Sequence, residues 1–178
     1  MEPILLTTPR MLLRPYEPGD APAVQRVMSH PQIYAFTAHV PHTCTRAYAA
    51  RWIRSAQSAM RRRVSFEFAA VDRSGGAYLG NVGIVRIGGD PPTGEITYWI
   101  DPAHQRCGLA TEGARAVLCW AAQALGVRVV TGCCMSHNAA SRRVMEKLGF
   151  RFVTRTPHAL LKDDTWVDLD HLIWRYPD

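Results

Sequence analysis

Nowhere does the 178-residue chain approach the ~18 uninterrupted apolar residues that a membrane-spanning helix needs, so no membrane association is expected. Its first residues lack a basic segment followed by an apolar one, and a secretory signal is therefore not expected either. Cysteines are few: Cys44, Cys107, Cys119, Cys133 and Cys134. Their number is odd and none are spaced as CxxC, so a disulfide framework and a metal site both fit poorly. Reduced thiols in a cytoplasm fit well. Acidic residues are the minority sign, 15 against 21 basic ones, for a net charge of +6. That balance suits an anionic partner without naming it. Arginine dominates, yet Arg61, Arg62 and Arg63 form the only tight basic run, and it reads as a solvated helix end. Basic residues interleaved with aromatics along a groove are missing, which argues against nucleic-acid binding. No repeat, low-complexity segment or linker divides the chain. With 47% apolar and 20% charged residues, a single globular domain over residues 1–178 is expected.

Hydrophobic periodicity then lays out the elements. Residues 11–16 read as a first strand, and Asp20 opens a helix to about Met28 that His30-Pro31 ends. Residues 32–43 read as irregular and rich in His, Pro and aromatics, before a helix over roughly 45–60. Val64 to Val71 alternates at period two, and Ser74-Gly75-Gly76 turns it into a partner strand from Tyr78 to Ile87. A strand follows from Glu95 to Ile100, then a glycine turn and a helix over about 109–125 stopped by Gly126. A strand over 128–135, a helix from Asn138 to Gly149, and strands around 150–155 and 165–174 close the chain. This order predicts an α/β protein with a mixed sheet and helices on both faces.

The turn in QRCGLATEGARAVLCW, Gln105 to Trp120, carries chemistry. Gly108 has no side chain, and Ala110 and Gly113 are nearly as small. Several backbone N–H groups can converge there at the first turn of a helix. With a helix dipole of roughly half a charge, they make a site for a phosphate or pyrophosphate. Gly113 itself suggests close packing. The later helix places Ala140, Val144 and Leu148 in one buried stripe, with Asn138 at its N-cap and Ser141 one turn in. On the residues alone, Asn138 and Ser141 serve equally well as simple caps.

Together the two motifs resemble the GNAT superfamily of N-acetyltransferases, and within it the RimJ/RimL-like branch. Gln105, Gly108 and Ala110 fill the cofactor pattern Q/R-x-x-G-x-G/A, and Thr111-Glu112 completes an ATE signature. Asn138, Ser141, Glu146, Lys147, Gly149 and Phe150 fill N-x-x-S followed by E-K-x-G-F. TPRMLLRP, AYLGNVGI and EITYWIDP also look like this branch, so the likeness spans residues 7 to 153. It implies a mostly antiparallel twisted sheet of about seven strands, with parallel strands 4 and 5 splayed apart, flanked by about four helices.

It also implies acetyl transfer from acetyl-CoA to a primary amine by direct attack. The coenzyme A site would comprise Ile100, Gln105, Arg106, Cys107, Gly108, Leu109, Ala110, Thr111, Asn138, Ser141 and Lys147. Residues 105–110 would hold the pyrophosphate, and Asn138 the pantetheine arm. Ser141 would protonate the leaving thiolate. The turn departs from the family at Arg106-Cys107, where a cation near the phosphates is lost at Cys107 and Arg106 can replace it. Cys107 is either a redox-sensitive thiol at a helix N-terminus or an inert small residue. Cys133 and Cys134 read as core filling. Glu95 is the first choice for a base that neutralises the amine, directly or through water, with Glu67 second. His104 is placed to pack against the cofactor.

The acceptor site would draw on residues 30–45, the second helix and the last hairpin: Tyr34, Phe36, His39, His42, Trp99, Asp163, Asp164 and Trp166. The acceptor is read as a protein or peptide α-amine of the ribosomal-protein type. A small amine such as an aminoglycoside or polyamine stays open, as do a non-catalytic acyl-CoA-binding module and a homodimer.

Overall fold

The computed structural model of the protein describes residues 3–176. The strands are β1 (Leu6–Thr7), β2 (Met11–Pro15), β3 (Phe66–Asp72), β4 (Tyr78–Gly88), β5 (Thr93–Ile100), β6 (Val129–Met135), β7 (Arg151–Lys162) and β8 (Thr165–Arg175). The helices are α1 (Ala21–Met28), α2 (Pro31–Phe36), α3 (Arg46–Arg61), α4 (Leu109–Leu125) and α5 (Ala139–Lys147). The strands form one sheet in the order β1-β2-β3-β4-β5-β6-β8-β7, and β5–β6 is its parallel pair. The described residues thus hold eight strands and five α-helices, where about seven and about four are expected. A two-residue edge strand and α2 account for the difference.

Helix α2 falls in a segment read as irregular, and the reason is local. Proline is tolerated at the first position of a helix, where its missing N–H costs nothing. Pro31 occupies that position, and the His30 ring accepts from the Gln32 amide at 3.2 Å. The His-Pro pair therefore opens α2 immediately after α1 ends. Asp20 also departs from expectation. Its carboxylate makes no cap bond to α1, because Arg14 holds it at 2.7 and 2.8 Å and the Glu17 amide donates to it at 2.8 Å. The last two strands run longer than expected. They meet in a two-residue turn at Asp163-Asp164, both at positive φ, the form that matches the twist of a hairpin.

Alternation along the strands splits the core in two. Phe66, Phe68 and Ala70 face α4 together with Leu13, Val82 and Ile84, whereas Ala69 faces α1 and α3 with Tyr16, Val24 and Ile53. Trp120 of α4 meets the rings of Phe66 and Phe68 edge-on at 4.9 and 5.7 Å. Helix α4 lies close against the sheet at Gly113, where a Cβ would come within 2.9 Å of Val82. Truncating Phe68, which is fully buried, would cost about 3–5 kcal/mol.

One irregularity of the sheet positions the site. Strands β5 and β6 pair only at Thr93–Val129, Gly94–Val130 and Glu95–Thr131. Beyond that point β5 continues with β4 as far as Ile100, and β6 continues with β8 as far as Met135. The facing backbone groups of 96–100 and 132–135 have left each other, so the sheet opens into a cleft.

Candidate active site

The cleft has a volume of about 960 Å³ and reaches both faces of the sheet. On the α4–α5 face it ends at the glycine turn. Gly108 is left-handed, with φ +87°, a conformation nearly free for glycine and costly for other residues. Arg106 is also left-handed at φ +63°. The first helical bond of α4 runs from the Glu112 amide to the Gly108 carbonyl at 3.0 Å. The amides of Leu109, Ala110 and Thr111 thus have no acceptor inside the helix. Gln105 ties the turn to β5 by donating from Nε2 to the Ile100 carbonyl at 2.9 Å. Arg106, Arg143 and Lys147 bring cations to the same wall.

A second clamp was not legible in the sequence. Arg10, 102 residues before Glu112, donates from its amide and from Nε to that carboxylate at 2.9 and 2.8 Å. Thr8 donates to it at 2.7 Å, and Arg10 Nη1 reaches the Cys107 carbonyl at 2.8 Å. The TPR and ATE segments are therefore two halves of one contact that holds the turn from outside. Burial raises the Glu112 pKa, but the bonds from Thr8 and Arg10 outweigh it and hold the group below the ordinary carboxylate range.

Of the coenzyme residues expected from the sequence, Ile100, Gln105, Arg106, Gly108, Leu109, Ala110, Thr111, Asn138, Ser141 and Lys147 line the cleft. Cys107 does not. Its thiol turns back to the His104 carbonyl at 2.9 Å, so the residue contributes backbone alone. Asn138 does cap α5, accepting from the Ser141 amide through Oδ1 at 3.0 Å. That leaves its Nδ2 donors for the cleft.

Tyr98 is a residue that sequence reasoning missed. Its hydroxyl lies 2.9 Å from Ser141 Oγ and 3.1 Å from the Ser141 carbonyl. Burial drives the Tyr98 pKa upward, so the phenol keeps its proton. The signal was the phase of β5, which puts Ile96, Tyr98 and Ile100 on the α4 side. Cys134 is buried as core filling requires, but Cys133 is exposed, because alternation along β6 turns it to the same open face as Thr131. Both line the cleft.

The opposite mouth is aromatic. Trp52 of α3 packs against Trp99 at 5.3 Å and against Tyr16 at 4.9 Å, and Phe36, His39 and Tyr48 complete the wall. Tyr34 sits at the rim. Its hydroxyl donates to Asp163, and Lys162 lies 3.6 Å over its ring while donating to the Thr37 carbonyl at 3.1 Å. The His42 ring stands edge-on to Tyr34 at 5.0 Å. Asp164 and Trp166 do not line the cleft, and Trp166 is exposed.

The carboxylates of β8 lie outside the cleft lining. Asp170 is fully buried beneath Arg155 and Arg142, whose bonds hold its pKa down. Asp168 accepts from the His158 amide at 3.0 Å. Glu95 and Glu67 line the cleft itself. Glu95 is paired with Arg86 at 2.7 Å, while Glu67 accepts from Asn81 Nδ2 at 2.6 Å. Among the described residues no cluster suited to a metal ion occurs, and no helix is long and apolar enough to cross a membrane.

Residues 10–151 match the family model of the acetyltransferase (GNAT) domain. The chain belongs to the GNAT acetyltransferase family. Solved structures share the fold across almost the whole chain. A GNAT acetyltransferase from Bacillus anthracis superposes with a TM-score of 0.85 at 20% identity, over 97% of this chain and 98% of that one. RimL, a ribosomal L7/L12 α-N-protein acetyltransferase in complex with coenzyme A, gives 0.88 at 14%, over 97% and 98%. The ribosomal-protein-S5-alanine acetyltransferase of Vibrio fischeri gives 0.87 at 17%, over 98% of each chain. In this GNAT acetyltransferase the family match holds the glycine turn, the splayed strands and α5, and it stops where β7 begins. The hairpin that contacts α2 at the rim lies outside it.

Proposed function

We propose that this GNAT acetyltransferase moves the acetyl group of acetyl-CoA to the α-amine of a protein or peptide N-terminus. The observation that carries the donor half is the continuity of the cleft. Free amides at the start of α4 lead directly into the strip where β5 and β6 leave their backbone groups unpaired. An anionic head and a long amide-bearing arm need those groups in that order. The turn would hold the pyrophosphate, Asn138 Nδ2 and the open edges of 96–100 and 132–135 the arm, and Lys147 and Arg106 the outer charge.

Acetyl-CoA supplies an activated thioester when bound. Ser141 would give the sulfur its proton, and Tyr98, which keeps its own, would hold the Ser141 hydroxyl in place from 2.9 Å. The acceptor half speaks for a monocation. A polyamine or aminoglycoside needs several free carboxylates, whereas among the described residues the cleft lining holds Glu67 and Glu95 as its acidic side chains, and Glu95 is paired with Arg86. An aromatic mouth with few free carboxylates suits one ammonium on an apolar or small-residue peptide. The resemblance of the sequence to the RimJ/RimL-like branch supports the same reading.

The test is thiol release from acetyl-CoA across a panel of N-terminal peptides, polyamines and aminoglycosides. Peptides turning over well ahead of polyamines is the expected result. Preference for a polyamine would overturn the acceptor assignment, and tight CoA binding with no turnover on any amine would leave a sensing module instead.

A further inference from the structure

We infer that Glu67, on β3, is the catalytic residue that takes the proton from the acceptor ammonium. The inference rests on the acetyl-transfer reading above and deepens it.

Register carries the first step. Glu67 pairs with Gly83, and Gly83 pairs with Thr97 of β5. Strands lie about 4.8 Å apart, so the Glu67 backbone is two strands from β5. Its carboxylate covers part of that distance, because a Cβ on Gly83 would sit 2.4 Å from Glu67 Oε2. The carboxylate lies in the gap that glycine leaves, about one strand spacing from Thr97. Thr97 lies beyond the last parallel pair, Glu95–Thr131, and so beside the open splay. Glu95 belongs to that last pair, at the closed root of the cleft, and its charge is engaged by Arg86.

Hydrogen bonding carries the second. A buried chain runs from the Tyr78 hydroxyl to the Tyr16 hydroxyl at 3.0 Å, on to Asn81 Oδ1 at 3.0 Å, and from Asn81 Nδ2 to Glu67 Oε2 at 2.6 Å. Asn81 is fully buried, so Oε2 is fixed. Among the described residues Oε1 has no protein partner, although Glu67 lines the cleft. One oxygen held and one open to the acceptor side is how a base is presented. Burial pushes the Glu67 pKa up to about 7 against the opposing Asn81 bond, which places its titration in the working range.

The proton balance closes. The ammonium nitrogen loses two protons as it becomes an amide. One passes to Glu67 and on to solvent, freeing the lone pair that forms the N–C bond as the C–S bond breaks. The other offsets the proton that Ser141 gives to the sulfur. Tyr16 and Tyr78 face Glu67 along the chain, the Arg86–Glu95 pair lies on the next strands, and Tyr48 and His39 face it across the mouth.

The experiment is the pH profile of kcat/KM for the wild type, Glu67→Gln and Glu67→Asp with the best peptide of the panel, alongside CoA affinity by calorimetry. Wild type should show an acid limb near pH 7. Glu67→Gln should lose about 100-fold or more, with no limb and CoA affinity within about twofold, and Glu67→Asp should recover part of the rate. A Glu67→Gln enzyme within about threefold of wild type that retains the limb would overturn the inference. An inactive wild type that still binds CoA would sink the acetyl-transfer reading itself, and Glu67 with it.

Discussion

The two mouths of the cleft are built in opposite ways. The donor mouth is made largely of backbone from two β-turn-α units, whose amides aim where the chain bends, and side chains hold the bends in place. The acceptor mouth is made of side chains from α2, α3, β3 and β5, rimmed by the distant β7–β8 hairpin. A backbone site tolerates much sequence change provided its turns survive. A side-chain site can change its ligand with one substitution. The difference teaches where single substitutions should act all-or-none and where they should act by degrees.

The largest effect should follow Gly108→Val. A β-branched residue at φ +87° is strained by about 1–3 kcal/mol, which the turn can relieve only by swinging its amides away. CoA affinity should fall about 100-fold or more, roughly 2.7 kcal/mol, while the thermal unfolding midpoint shifts by a few degrees. Unchanged affinity in calorimetry would mean that the turn is not the phosphate site. Ser141→Ala comes next and separates binding from chemistry. It should lower kcat by about 30- to 100-fold with CoA affinity within about threefold. An unchanged kcat would move the acid role to Tyr98 or water.

This contrast also explains what was legible. Gly108, Asn138 and Ser141 announce themselves because the turn, the cap and the helix start each lie within a few residues. Gly126 was readable as a C-cap for the same reason. Tyr98 was visible only as part of a strand, since its partner Ser141 is 43 residues away. Arg10 and Glu112 were each noticed as parts of separate motifs, but the bond between them belongs to the folded chain. Asp163 was placed at the acceptor site by sequence, but its bond to Tyr34, 129 residues away, belongs to the folded chain. The His-Pro step hid α2 because proline both ends and begins helices.

Glu112→Gln tests whether side chains outside the cleft matter to the backbone site. Loosening the clamp on the turn should raise the KM for acetyl-CoA about fivefold and leave kcat unchanged. The stability cost should stay within about 1 kcal/mol, because Arg10 is half exposed and solvent screens the pair. The sign with pH is set by a folded pKa depressed below the ordinary value near 4.5. The clamp contributes fully above about pH 4.5 and loses its contribution as pH falls through the lower folded value. The stability gap between wild type and Glu112→Gln should therefore close in acid, which thermal melts from pH 7 to 3 would follow. A gap that widened in acid would mean that the carboxylate is not held by Arg10 and Thr8.

The smallest effect should come from Lys162→Ala at the rim. Lys162 donates to the Thr37 carbonyl at 3.1 Å and lies over the Tyr34 ring, so it ties the β7–β8 hairpin to α2. Neither contact reaches the reacting groups, and the hairpin lies beyond residues 10–151, where the family match ends. Losing the tie should loosen the acceptor mouth and raise the peptide KM about two- to threefold. The kcat at saturating peptide and the CoA affinity should both stay put, because the amides of α4 are set by the turn at Gly108 and by the bonds from Gln105 and Arg10 to the segments around it. Steady-state kinetics with each substrate varied in turn would read both quantities from one preparation. A change in CoA affinity of similar size to the change in peptide KM would show that the mouths are coupled through the splay. The division between a backbone-built donor half and a side-chain-built acceptor half would then fail at its weakest joint, the strands that the two halves share.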